Sequence, residues 1–144
     1  MTGKTGLLLA AALLASCARK APNEEEFSRM LTNATLIGSF TSGRSNTLRE
    51  DRYTISRVTK TAGDLWMVHS RIQYGSHDVT VPVPVKVNWA GDTPVMSLTD
   101  VTIPGMGTFT VRLVFYRDQY AGMWSSSKGH GGQMFGRIER AAAK

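Results

Sequence analysis

The feature that most restricts the fold is a pair of alternating segments on either side of Gly75-Ser76. Apolar and polar residues alternate from Trp66 to Tyr74, and valine then occupies every second position after the pair. A period of two residues is typical of a strand with one buried face. A two-residue connection that contains glycine forms a tight turn. The sequence therefore predicts a β-hairpin in which Tyr74 lies opposite His77.

The register of this hairpin can be checked within the sequence, because it places the apolar side chains of both strands on one face. The expected partners are Ile72 with Val79, Ser70 with Val81, Val68 with Val83, and Trp66 with Val85. A shift by one residue would turn the apolar face of one strand outward. The pattern thus fixes the register as well as the strands.

Two prolines restrict the second strand of the hairpin further. Pro82 and Pro84 are two residues apart, so the positions that lack an N–H group face the same edge of the strand. The valine amides between and beside them remain free to pair with the preceding strand. We therefore expect the other side of this strand to be unpaired here, as a gap or a protected edge of the sheet.

Turn residues divide the rest of the chain into short strands with no helices between them. The expected strands are Ala34–Phe40, Asp51–Lys60, Thr93–Ile103, Gly107–Arg117, Gln119–Ser125 and Gly132–Arg140. With the hairpin, they make an all-β, antiparallel meander of about eight strands. Such a meander forms a small barrel, with a β-sandwich as the alternative.

One short helix is expected before the first strand. Asn23 is a suitable N-cap, and the acidic residues 24–26 suit the first turn of a helix. Phe27, Met30 and Leu31 fall on one face. We expect a helix that ends near Leu31 and covers a sheet edge or a barrel mouth.

The N-terminus has the features of a secretory signal. Lys4 precedes an apolar stretch over residues 7–15, and the tetrapeptide Leu14-Ala15-Ser16-Cys17 resembles a bacterial lipobox. The resemblance implies that residues 1–16 are a signal peptide, that the Cys17 thiol receives a diacylglycerol, and that the new amino group is acylated. Residues 17–22 would then be the lipidated cysteine and a linker, and residues 23–144 a single β domain. No other cofactor is expected.

The expected location follows from this resemblance. Two or three long acyl chains hold a protein at a membrane almost permanently. Ala18 follows the cysteine, and lipoproteins without aspartate at this position are commonly sorted to the outer membrane. The whole chain is similar to lipid-anchored envelope proteins of Gram-negative bacteria that have no known activity. We expect a lipid-anchored protein of the cell envelope, at the outer membrane and facing the periplasm.

Two further segments carry a resemblance to known barrels. The stretches 36–40 (LIGSF) and 120–124 (YAGMW) resemble the opening and closing strands of calycin-like barrels of the lipocalin and avidin type. In those barrels glycines allow strongly bent strands to close, and a tryptophan plugs one end. Phe40 stands where the tryptophan of the lipocalin G-x-W motif would be. No ligand-binding residue of that family carries over to this chain.

Charge and motifs indicate a non-catalytic protein. The net charge is +6, but the basic residues are scattered and form no nucleic-acid-binding motif, so no nucleic-acid partner is expected. His69 and His77 face opposite sides of the predicted hairpin, and His130 lies in a loop, which argues against a shared metal ion. No strained serine turn of the hydrolase type is present. We therefore expect no catalytic and no metal-binding residues.

The candidate ligand-facing residues lie on the inner face of the hairpin: Trp66, Ser70, Tyr74 and His77. The alternative is that the polar members lie at a barrel rim and contact water. Three functions remain open: a binding or structural module for an envelope protein, a carrier of a small apolar ligand, and an unrecognised hydrolase. The first predicts a filled core with an exposed apolar edge, and the second predicts an open apolar cavity.

Overall fold

One helix and eight antiparallel strands make up residues 22–141, the part of the chain that the computed structural model describes. They are α1 (Pro22–Leu31), β1 (Ala34–Phe40), β2 (Arg49–Ala62), β3 (Leu65–Tyr74), β4 (His77–Ala90), β5 (Thr93–Ile103), β6 (Gly107–Tyr116), β7 (Gln119–Ser126) and β8 (Gly131–Arg140). Each strand pairs with the next, and β8 returns to β1 to close a barrel. The predicted meander barrel is confirmed, and the sandwich alternative is wrong. Within the described residues no helix is long and apolar enough to cross a membrane.

The register of the β3–β4 hairpin is the predicted one. Tyr74 pairs with His77, and every expected partner from there to Trp66 and Val85 is observed. Gly75 has a φ of 53°, a left-handed conformation that glycine adopts without a Cβ clash. The alternation of apolar residues and the glycine-containing turn together thus select one register for the hairpin.

The start of the helix differs from the prediction. The helix begins at Pro22, so Asn23 is its second residue and is not the N-cap, and the expected linker ends one residue earlier. Proline suits the first helical position, because the N–H group that it lacks has no partner within the helix there. The acidic first turn contains Glu24 and Glu25, as expected.

Helix α1 closes one end of the barrel. Phe27 and Leu31 are fully buried. The Phe27 ring makes edge-to-face contacts with Trp66, Trp89 and Phe115 at centroid distances of 5.2, 6.2 and 6.0 Å. Aromatic rings prefer this geometry, and burial of such large side chains contributes much of the stability of a small domain. We call this the helix end.

Among the residues that the structure describes, no helix lies over the opposite end. Because consecutive strands are antiparallel, the connections over residues 41–48, 75–76, 104–106 and 127–130 all lie at this end, which we call the open end. The turns over residues 63–64, 91–92 and 117–118 lie at the helix end. The two ends of the barrel are thus built from different connections, and one of them is covered.

The barrel wall has an opening beside the open end. Strand β4 pairs with β5 only over Lys86–Ala90, while it pairs with β3 along its whole length. Within the described residues, 77–85 therefore have no strand partner on the β5 side, and we call this the side gap. The unpaired stretch predicted from Pro82 and Pro84 is confirmed. Residues 86–90 still close the barrel.

Candidate functional site

The inner faces of the strands enclose a cavity of about 180 Å³ in the half of the barrel nearer the open end. Aliphatic, methionine and aromatic side chains form most of its wall. Its polar groups are few, namely Asp51, Tyr53, Ser70 and Tyr74. An apolar cavity with a few polar groups is typical of a small-molecule site. The cavity is therefore the candidate functional site.

A line of paired residues crosses five strands and joins the two halves of the barrel. Tyr120 pairs with Gly136, Gly136 with Gly38, Gly38 with Asp51, and Asp51 with Tyr74. Directly paired residues point to the same face of a sheet. Because the two middle positions have no side chain, the Tyr120 ring can lie across them and reach Asp51.

The geometry at Gly38 shows how closely the Tyr120 side chain approaches the backbone. A Cβ atom at Gly38 would lie 2.2 Å from the Tyr120 hydroxyl and 2.2 Å from the backbone carbonyl oxygen of Phe135. Real Cβ atoms do not approach other atoms so closely, so a larger residue at this position would displace the tyrosine or its strand. Glycine at position 38 therefore makes room for the contact between Tyr120 and Asp51.

Asp51 is a buried carboxyl group held by two phenols. Its exposed fraction is 4%. The Tyr53 hydroxyl donates a hydrogen bond to Asp51 Oδ2 at 2.9 Å, and the Tyr120 hydroxyl donates one to Oδ1 at 3.4 Å. None of the ion pairs within residues 22–141 includes Asp51. The carboxyl group is thus hydrogen-bonded but has no cationic partner among residues 22–141.

Burial governs the proton affinities of these groups. Loss of solvent raises the pKa of the Asp51 carboxyl above its usual value, although the hydrogen bonds from the phenols partly oppose this change. Burial, together with the negative charge of Asp51, also raises the pKa of Tyr53 and of Tyr120 well above the usual range. Both phenols therefore keep their protons at neutral pH and act as donors to Asp51.

Aromatic side chains surround the cavity at the open end. The Phe40 ring makes edge-to-face contacts with Tyr74 and Trp124, at centroid distances of 5.9 and 5.7 Å. Trp124 Nε1 donates a hydrogen bond to the Thr41 carbonyl oxygen at 3.0 Å, and Phe109 lies beside the Trp124 ring. We call Phe40, Tyr74, Phe109 and Trp124 the aromatic mouth. All four are half-buried, so they separate the cavity from solvent only in part.

The predicted ligand-facing residues fall in three different environments. Ser70 and Tyr74 line the cavity. Trp66 is buried at the helix end against Phe27 and does not line the cavity, and His77 is exposed, with its ring 4.8 Å from that of Tyr74. Ser70 and Tyr74 alone are therefore brought together in the cavity wall.

Asp51, Tyr53 and Tyr120 were not predicted from the sequence. Asp51, Tyr53 and Ile55 occupy every second position of β2 and therefore share one face of the strand. Because Ile55 is apolar, this spacing could have placed the Asp51 carboxyl group on the inner face. Nothing local connects Tyr120 with Asp51, because the two residues are 69 positions apart and meet only through the closure of the barrel.

The remaining predicted groups lie elsewhere or outside the described residues. His69 is on the outer face, where its Nε2 lies 3.3 Å from a guanidinium nitrogen of Arg57. Within residues 22–141 no three histidine, cysteine, aspartate or glutamate side chains are grouped so that they could hold a metal ion. Cys17 and the expected signal peptide lie outside the described residues.

Comparison of the chain with protein-family models, with curated proteins and with solved structures finds no match.

Proposed function

We propose that this chain is a lipid-anchored envelope protein whose barrel binds a small, mainly apolar molecule in its interior. The observation that supports the ligand is the cavity of about 180 Å³ with its apolar wall. A structural module with a filled core would place side chains in this space. The cavity therefore favours the carrier over the structural module.

The size of the cavity limits the ligand. An apolar cavity of about 150 Å³ in another protein stays dry and binds benzene. A cavity of about 180 Å³ therefore suits one aromatic ring with a short substituent, or an aliphatic group of similar volume. The aromatic mouth and the side gap lie next to this space and would give the ligand a route in.

Toluene is a suitable first probe, because it has the expected size and no polar group. At a toluene concentration of about ten times the Kd, the folded state would gain about 1.4 kcal/mol, which thermal unfolding detects. Ser70→Leu would fill part of the cavity and remove this gain. Ser125→Leu, on the outer face of β7, is the matched control and would keep it.

The result of this experiment decides between a carrier and a filled module. Binding of toluene to the wild type and to Ser125→Leu, but not to Ser70→Leu, supports the proposal. Absence of toluene binding to the wild type, or equal binding to both variants, would contradict it. Native mass spectrometry of protein purified from its own membrane would then identify a retained ligand.

The lipid anchor is supported by the tetrapeptide that ends at Cys17. Five residues, 17–21, separate the start of the anchor from the first helical residue, and they span less than about 20 Å even when fully extended. The barrel would therefore stay close to the membrane. Because α1 begins at Pro22, the anchor would join the chain next to the helix that covers the helix end, and not at the aromatic mouth.

Cys17→Ser tests the anchor. We expect no incorporation of labelled fatty acid, no cleavage by the lipoprotein peptidase, and loss of the acyl-dependent partition into detergent. Ser16→Ala keeps a small residue before the cut and serves as the control, with normal labelling. Acyl labelling of Cys17→Ser at the wild-type level would show that the lipobox interpretation is wrong.

A further inference from the structure

Asp51 gives the cavity a chemical preference beyond size. Its carboxyl group is in the cavity wall and is almost fully buried. A carboxylate offers about four lone-pair positions, and the two phenols use one on each oxygen. Positions therefore remain for further N–H or O–H donors.

In the described part of the chain, the groups that surround Asp51 supply hydrogen bonds but no positive charge. Tyr53 is on its own strand, Tyr120 approaches from β7, Tyr74 is its partner on β3, and its partner on β1 is Gly38. Arg49 is two residues earlier on β2, but it is exposed, and no ion pair joins it to Asp51. The described cavity wall contains no lysine, arginine or histidine.

A buried carboxylate without a cationic partner is energetically unfavourable. Removal of a charge from water is costly unless an opposite charge and hydrogen bonds compensate for it. The phenols provide the hydrogen bonds only. A ligand that carries a positive charge into the cavity would complete the compensation, and it would gain more from Asp51 than a neutral ligand of the same shape.

The aromatic mouth favours the same sign of charge. The faces of aromatic rings carry partial negative charge and attract cations. A cation that meets the face of one of these rings at the aromatic mouth would be attracted to it, whereas an anion would be repelled. The aromatic mouth is thus compatible with the positively charged ligand that the Asp51 carboxyl group favours.

We propose that the cavity binds primary amines with an apolar body of about one aromatic ring, with the ammonium group beside Asp51 and the ring against the aliphatic wall. This inference rests on the proposed function, because it requires that the cavity holds a ligand at all. It names the class of ligand that the carrier would prefer. The ammonium group donates to the free positions of the Asp51 oxygens, while Tyr53 and Tyr120 hold the carboxylate in place.

Four probes of similar size test this preference: toluene, benzyl alcohol, benzylamine and benzoate. For the wild-type protein, we expect benzylamine to bind on the order of tenfold to a hundredfold tighter than benzyl alcohol, as for hydrogen bonds to charged groups. Toluene would bind through the apolar wall alone. Benzoate would bind most weakly, since it would place a second negative charge beside Asp51.

Asp51→Asn is the decisive variant. Asparagine has the size of aspartate and its carbonyl oxygen still accepts a hydrogen bond from a phenol, but it carries no charge. We expect toluene to bind as in the wild type, and benzylamine and benzyl alcohol to bind with similar affinities. Asp118→Asn, in the exposed turn at the helix end, is the matched control and would keep the preference for benzylamine.

A pH titration of the wild type gives a second, mutation-free measurement. Because burial raises the pKa of Asp51, acidification protonates this carboxyl group at a higher pH than an exposed one. The advantage of benzylamine over benzyl alcohol would disappear as the pH falls through that pKa. Toluene binding would not follow this transition as long as the protein stays folded.

The outcomes separate this inference from the proposed function. Equal binding of benzylamine and benzyl alcohol to the wild type, tighter binding of benzoate, or an unchanged preference in Asp51→Asn would overturn the amine proposal. Toluene binding in those cases would leave the apolar carrier intact. If none of the four probes bound to the wild type, both the amine proposal and the carrier would be refuted.

Discussion

Phe27→Ala tests whether α1 is an essential cover of the barrel. The Phe27 side chain has no exposed surface and contacts the rings of Trp66, Trp89 and Phe115. Truncation of a buried phenylalanine to alanine typically costs about 3–5 kcal/mol, because apolar contacts are lost and a cavity remains. The upper part of this range is expected, since three edge-to-face contacts disappear at once. A domain of this size has a total stability of about 5–15 kcal/mol.

Chemical and thermal denaturation would measure this effect. A loss of about 4 kcal/mol lowers the Tm of a domain of this length by roughly 10–20 °C. Phe135→Ala is the matched control, because this phenylalanine is on the outer face of β8 and is 45% exposed. Its truncation would change the stability by less than about 1 kcal/mol.

The comparison between the two phenylalanine variants decides the interpretation. Similar losses in both, or a loss below about 1 kcal/mol in Phe27→Ala, would show that the helix is not part of the cooperative core. A large loss in Phe27→Ala alone would confirm that the helix end is closed by packing and that the eight strands need this cover.

Three other perturbations test the interior. Val83→Asp would bury a charge at a position that is 6% exposed and would destabilise the fold by about 3 kcal/mol or more. Thr80→Asp, on the outer face, would have a small effect in the same denaturation assay. Equal losses of stability in the two variants would contradict the assignment of Val83 to the inner face and Thr80 to the outer face of β4. Gly38→Ala would destabilise the fold by at least about 1–3 kcal/mol, because its Cβ would meet the Tyr120 hydroxyl and the neighbouring backbone; unchanged stability would refute the close approach. The pKa values of Tyr53 and Tyr120 are raised in the folded state, so the folded state holds those protons more tightly than the unfolded state does. Unfolding experiments would therefore show the stability falling as the pH rises above about 10. An equally steep fall in the stability of a Tyr53→Phe/Tyr120→Phe variant would exclude these phenols as the cause.

Local pattern was sufficient to predict most of the fold. The β3–β4 register followed from alternation and one glycine-containing turn, and the unpaired stretch of β4 followed from the spacing of Pro82 and Pro84. Strand β2 was predicted too short at both ends. At its C-terminal end a register shift between Lys60 and Ala62 interrupts the alternation by which a strand is recognised. At its N-terminal end Arg49 and Glu50 are both exposed, so no alternation marks the start of the strand.

The site was harder to predict, because it depends on closure and on the position along the barrel. Every second residue of β3 points inward, yet Trp66 lies in the packed helix end while Ser70 and Tyr74 line the cavity. The alternation of apolar and polar residues shows which face of the sheet a side chain is on, but not how far along the barrel it lies. The contact between Asp51 and Tyr120 requires the pairing of β8 with β1, which no local pattern specifies.

The distribution of side-chain size explains why one half of the barrel is filled and the other is hollow. At the helix end the large rings of Phe27, Trp66 and Phe115 occupy the interior. Toward the open end, Ser70 is a small residue at an inner position of β3 and lines the cavity, whereas the space beside Gly38 is occupied by the Tyr120 side chain. Because side chains in a packed interior fill nearly all of the space, a small residue at an inner position leaves a cavity unless a larger side chain reaches across it.

The hollow half also contains Asp51, the charged side chain among the buried residues that the structure describes. A chain optimised for stability alone would fill this space and would replace Asp51 with an apolar residue, since an interior carboxyl without a cationic partner lowers stability. Incomplete packing and a buried charge without an opposite charge both reduce stability, and such departures at one place are expected at functional sites. The cavity, the buried carboxyl and the half-buried aromatic mouth occur together in this barrel. Because these three features occur in the same half of the barrel, the ligand is expected there, and the affinities of the four size-matched probes test this directly.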